Sequence, residues 1–182
     1  MLQLMKQDVV LFPFPDGDLN GELGYEQGRT IHYGFKVLDV DQFKKTKGSK
    51  FKGSAQLVVI AHGSGDQGYS GYLKADTNTT ITAADLADVV GPSGFVKTRD
   101  NGVQSFMNEI YIWSCMSGAH GGFAAQFARE MKRYGVTQLN IYGCTRNTAP
   151  VNAKGQLMVK EDGQDARPAT AGDMTVYWGA NL

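Results

Sequence analysis

A chain of 182 residues with 42% hydrophobic content can bury a full core and reads as a single domain over residues 1–182. Its 18 basic residues balance 18 acidic ones, which speaks against a general nucleic-acid binder, and no apolar stretch approaches the roughly 20 residues of a membrane helix. The start, Met1-Leu2-Gln3-Leu4-Met5-Lys6, carries no charged segment followed by an apolar one, and the two cysteines make no disulfide framework. A cytoplasmic protein, or one secreted without a cleaved signal peptide, is expected.

Val9-Val10-Leu11-Phe12 reads as a strand stopped by Pro13 and Pro15, with a loop over Asp16-Gly17 and Gly21. Ile31 to Leu38 is a weaker strand candidate. A lysine-rich segment follows, with Lys44, Lys45, Lys47, Lys50 and Lys52 interrupted by Gly48 and Gly53. It reads as a solvated connection, with a polyanion-binding patch as its functional alternative. Gln56-Leu57-Val58-Val59-Ile60-Ala61 is a buried strand ending in His62-Gly63.

Thr82-Ala83-Ala84-Asp85-Leu86 opens a helix. Thr82 and Asp85 are spaced for a reciprocal cap, and Ile81 and Leu86 for a hydrophobic staple. Leu86, Val89 and Val90 form its buried face, and Gly91-Pro92 stops it. Ile110-Tyr111-Ile112-Trp113-Ser114 is a second buried strand, ending in Cys115. Beyond Gly121-Gly122 a helix runs to about Tyr134. Phe123, Phe127, Met131 and Tyr134 recur on one face, Arg129, Lys132 and Arg133 point outward, and Gly135 ends it. Val136 to Cys144 is a further strand. Leu157 to Lys160 and Met174 to Trp178 read as a C-terminal strand pair, with Glu161-Asp162-Gly163 as a turn. The alternation of strands and helices predicts an α/β fold with a mostly parallel central sheet in three layers.

The chemistry sits at two strand ends, where open α/β sheets place reactive groups. Cys115 offers a nucleophile and His62 an acid/base partner. A helix starting just after Cys115 would set its sulfur near a positive dipole end, with Gly118, Gly121 and Gly122 keeping space open above it. The N–H groups of Gly63 and Cys115 could aim at one carbonyl oxygen as an oxyanion hole. Ser64, Trp113, Ser114 and Cys144 are candidates for the substrate-pocket wall.

His62 precedes Cys115 by 53 positions, and in caspases the histidine lies about 50 residues upstream of the cysteine. Ala61-His62-Gly63-Ser64-Gly65 resembles the His-Gly motif of the caspase-like (clan CD) cysteine peptidases. That group also holds legumain, gingipain, clostripain and the self-cleaving domains of large bacterial toxins. Ser114-Cys115-Met116-Ser117-Gly118 resembles the legumain-type nucleophile segment, and Thr82-Ala83-Ala84-Asp85-Leu86-Ala87 is similar to a helix start in the toxin proteases. The resemblance covers roughly residues 55–145 and rests on order and spacing.

It implies a caspase-like sandwich of about six strands with helices on both faces, and a His62–Cys115 dyad with Gly63 and Cys115 as oxyanion donors. It further implies a cysteine endopeptidase acting on a peptide or protein substrate, as a bacterial effector or toxin-associated protease. No cofactor is required. Trp113-Ser114 stand where many members carry an acidic or glutamine residue and alanine, and no aspartate-binding arginine pair can be assigned. The toxin proteases bind inositol hexakisphosphate through basic residues, and the run from Lys44 to Lys52 is the one candidate patch here.

Other readings compete. A non-proteolytic binding or adhesion module could share the scaffold, and a glutamine deamidase could use the same thiol and imidazole. Gly63-Ser64-Gly65-Asp66-Gln67-Gly68 fits G-x-G-x-x-G, but Tyr69 to Lys74 lack helical periodicity, which argues against a dinucleotide site. No G-x-S-x-G elbow exists. The spacing of His62, Cys115, His120 and Cys144 fits no common zinc motif.

Overall fold

The computed structural model describes residues 2–14, 35–46, 55–63, 73–74, 80–93, 107–136 and 139–178. A six-stranded central sheet organises them. Its strands are β1 (Val9–Phe12), β2 (Lys36–Asp39), β3 (Ala55–Ile60), β7 (Met107–Trp113), β8 (Asn140–Cys144) and β12 (Met174–Trp178). Their order across the sheet is β12-β8-β7-β3-β1-β2. All neighbours run parallel except β12, which is antiparallel to β8. The mixed α/β architecture with a mostly parallel six-stranded sheet is therefore as expected.

The composition of the strands explains their place. Val9, Val10, Leu11 and Phe12 are all sealed from solvent, as are Leu57, Val58 and Val59. Runs without polar alternation must be covered on both faces, which parallel strands at a sheet centre are. In β7 the alternation puts Tyr111 on one face, stacked on Tyr142 at 4.5 Å between centroids. Ile110 and Ile112 point to the other face.

Helix α1 (Val40–Lys45) follows β2 directly. Its Asp39 cap accepts the Gln42 N–H while Gln42 answers to the Asp39 N–H, a capping box that carries the helix into the start of the lysine-rich segment expected as a solvated connection. Phe43 is its fully buried anchor, and Lys44 and Lys45 are exposed in its last turn. Helix α2 (Ala83–Val90) carries the Thr82–Asp85 capping box foreseen from sequence. It packs against α3 (Phe123–Met131). Phe123, Phe127 and Met131 face inward. One 3-10 turn, Lys132–Tyr134, extends α3 to Gly135, whose φ of 70° is the left-handed stop that glycine adopts without penalty.

Three steps along the sheet (β2 to β3, β3 to β7 and β7 to β8) move in one direction. Right-handed connections would place α1, α2 and α3 on a single face. Residues 15–34 of the β1–β2 connection, with the loop expected around Asp16-Gly17 and Gly21, lie outside the described residues.

Several elements differ from expectation. Met158–Lys160 and Met174–Trp178 are strands, but not each other's partners. Met158–Lys160 (β10) pairs with β9 (Asn147–Ala149) and β11 (Arg167–Pro168) in a small antiparallel sheet. Met174–Trp178 instead closes the edge of the central sheet. The intervening stretch does turn at Gly163, with φ of 75°. The strand expected from Val136 begins only at Asn140, although Val136 and Leu139 are buried. His62–Gly63 forms its own short strand β4, paired with β5 (Leu73–Lys74), which pairs in turn with β6 (Thr80–Ile81). No described helix is long and apolar enough to cross a membrane.

Candidate active site at the carboxyl edge of the sheet

The site is assembled by one pair of neighbouring strands. β3 and β7 run parallel with Ile60 opposite Trp113, and the Ala61 N–H reaches the Trp113 carbonyl at 3.4 Å. Both chains leave the sheet at the same edge, carrying His62-Gly63 and Ser114-Cys115. Their backbones then meet. A Cβ placed on Gly63 would lie 2.3 Å from the Cys115 carbonyl oxygen, so only glycine lets the two segments touch. His62 and Cys115 are each half-buried.

The chain turns sharply at the nucleophile candidate. Met116 has φ of 56°, the left-handed region that costs a residue with a Cβ on the order of 1 kcal/mol. The turn is held from the end of β8 and the residues just after it. The Met116 N–H donates to the Arg146 carbonyl at 3.2 Å, and the Gly118 N–H to the Cys144 carbonyl at 2.8 Å. Ser117, buried, donates to the Ile112 carbonyl at 2.8 Å and accepts the Cys144 N–H at 3.0 Å. Its hydroxyl thus stitches β7 to β8 just behind Cys115.

Two details differ from the sequence reading. α3 begins at Phe123, capped by Gly122, and the turns from Ser114 to Gly122 separate it from Cys115. Among the described residues the sulfur of Cys115 is met from a strand, not from the helix: the Thr148 N–H of β9 points at Sγ from 3.3 Å, and the Thr148 hydroxyl lies 3.5 Å away. Nor do the glycines simply keep space open. Gly118 is pressed against β8, where a Cβ would come within 2.0 Å of the Gly143 carbonyl oxygen, while Gly121, at φ of 72°, faces open space.

Trp113, Ser114 and Cys144 are buried, so they offer no accessible wall in this conformation. The Trp113 indole reaches the Ala149 carbonyl at 3.5 Å, tying the central sheet to β9. Burial pushes the Cys144 thiol up to about 12, which keeps it protonated and unreactive at neutral pH. Ser64 lies outside the described residues. His120 is exposed in the turn before α3. Lys44 and Lys45 sit on α1, and Lys47, Lys50 and Lys52 lie outside the described residues. Among the described residues no group of three or more His, Cys, Asp or Glu is arranged to hold a metal ion.

An ion-pair cluster fixes the small sheet beside the site. Asp173, buried just before β12, takes both guanidinium nitrogens of Arg167 at 2.8 and 2.9 Å. It also accepts the Thr170 N–H and hydroxyl. The Arg167 bonds come first in holding its carboxyl well below the usual carboxylate range. Arg146 lies 3.6 Å from Asp173 and 3.8 Å from Glu161.

Thr148 and Asp173 were not singled out from the sequence. A threonine in a three-residue strand carries no local signature, and the pairing of β12 with β8 that brings Asp173 close is a long-range fact. No protein-family model and no curated protein matches this chain.

Proposed function

We propose that this chain is a cysteine peptidase of caspase-like architecture, with Cys115 as nucleophile and His62 as general acid/base. One observation carries the reading: adjacent parallel strands deliver both groups to one sheet edge, with the Gly63 backbone packed on that of Cys115. The strained turn at Met116 supports it, since unfavourable backbone conformations concentrate at functional sites.

The chemistry follows from these groups. The Cys115 S–H bond breaks, its proton passes to the His62 ring, and the electron pair stays on sulfur. The thiolate attacks the scissile carbonyl carbon and a C–S bond forms. The carbonyl oxygen takes negative charge and is met by the N–H groups of Gly63 and Cys115. His62 returns the proton to the amine as the C–N bond breaks. Water, activated by the same imidazole, then releases the acyl group from sulfur.

Fluorescent casein, with self-cleavage followed on gels, provides the test. The wild-type chain should cut, and Cys115→Ala and His62→Ala should each lower the rate about 1,000-fold or more with unchanged melting. Iodoacetamide labelling of Cys115 without any cleavage would turn the assignment toward a glutamine deamidase, read as ammonia release from casein. A Cys115 that resists labelling would favour a binding module.

A further inference from the structure

The nucleophile candidate is flanked on both sides, and only one flank was expected. β7 has two neighbours in the sheet. β3, on one side, leads into His62. β8, on the other, leads through Thr145 and Arg146 into β9. Among the described residues β9 is an edge strand of the small sheet, paired with β10. From it the Thr148 N–H and hydroxyl both reach the Cys115 sulfur.

From this arrangement, and resting on the peptidase reading of Cys115, we propose that Thr148 is the positioning residue of the nucleophile. A sulfur on a single Cα–Cβ bond can swing among three staggered wells. Two contacts from one residue select the well that faces β9. In the resting thiol either the sulfur or the Thr148 hydroxyl can donate. Once the proton has moved to His62 the sulfur can only accept, so the N–H and the hydroxyl both donate to it. Thr148 therefore holds the sulfur in place at the moment of attack, with two donors aimed at it.

The supporting frame is built for rigidity. β9 is tied to Trp113 through the Ala149 carbonyl. Arg146, immediately before β9, accepts from Met116 and lies close to the Asp173 carboxylate. A side chain in such a frame keeps its place without help from substrate.

The test reads the second-order rate of iodoacetamide alkylation at the Cys115 peptide, at pH 7, with thermal melting alongside. Thr148→Val keeps the shape and the N–H but lacks the hydroxyl, and should slow alkylation roughly fivefold. Thr148→Ala, free of any packing demand from a second methyl, should slow it equally. Thr148→Ser should restore the rate to within about twofold. A purely structural threonine would not separate Ser from Val at equal stability. Wild-type rates in both Val and Ala variants, or a Ser variant as slow as Val, overturn the proposal. The readout needs no peptide cleavage: a wild-type chain that alkylates normally but leaves casein intact counts against the peptidase alone.

Discussion

At its amino end, β7 carries Glu109, whose carboxylate accepts from Gln56 at 2.9 Å, Tyr111 at 3.1 Å and Tyr142 at 3.3 Å. Close by, buried Asp8 accepts the N–H groups of Met5 and Gln56 at 2.6 and 3.0 Å. Acceptors and donors there are matched, as buried polar groups in a structural region are. At the carboxyl end of the same strand, Met116 is strained and the sealed Ser114 hydroxyl finds no partner among the described residues. One sheet thus has an end whose polar capacity is spent on the fold and an end where some is left over. Places that break local rules of satisfaction and conformation are where function is sought.

Of the substitutions that bear on this comparison, the largest effect is expected from wedging a methyl group between the two site segments. Gly63→Ala sets a methyl group against the Cys115 carbonyl oxygen and 3.0 Å from the Ser114 hydroxyl. The segments must separate by an ångström or so, and displacements of that size cost catalysis about 100-fold. Casein cleavage should fall by that factor or more, with the fold retained. Cleavage at the wild-type rate would show that contact between the segments has no bearing on the chemistry.

A smaller effect separates the two ends by pH. Burial raises the Asp8 carboxyl above its ordinary range, whereas Arg167 lowers that of Asp173. The signs are opposite. Asp173 stabilises the fold above the unfolded carboxylate value of about 3.9, and this is lost as pH falls toward its own lower value. The charge on Asp8 disfavours folding above its raised value, and the penalty lifts as pH falls through it. Asp173→Ala should cost about 2 kcal/mol at pH 7. In urea denaturation the gap to wild type should narrow below about pH 3.9. A gap that stays constant there would mean that the ion pair contributes little.

How much of this was legible follows from the range of each signal. β1, α2 with its Thr82 cap, β7 and α3 were readable because apolar periodicity and capping residues lie within a few positions of one another. The adjacency of His62 and Cys115 was readable only as an expectation from strand order. α1 was not legible because it is only six residues long, too short for apolar periodicity to show, and its cap rests on the four residues Asp39 to Gln42. The partner of β12 was misassigned because a turn signal at Glu161-Asp162-Gly163 suggests local pairing. The true partner of Met174 is Cys144, far back in the chain. The Thr148 contact depends on that same long-range assembly, and no local pattern encodes it.

The smallest expected effect tests the leftover capacity itself. Ser114 and Ser117 are both sealed, three positions apart, and differ in one respect. Ser117 donates to Ile112 and accepts from Cys144, whereas the Ser114 hydroxyl has no partner among the described residues. An unmatched buried hydroxyl carries a desolvation cost that alanine avoids, so Ser114→Ala should stabilise the chain by about 1 kcal/mol. Ser117→Ala, which strands the Cys144 N–H, should do the reverse. If Ser114 is retained for the site, the more stable Ser114→Ala chain should cleave casein more slowly, the opposite movement of two readouts that packing alone does not produce. A Ser114→Ala chain that melts earlier than wild type would mean that the hydroxyl is matched after all, and the contrast between the two ends of β7 would lose its sharpest member.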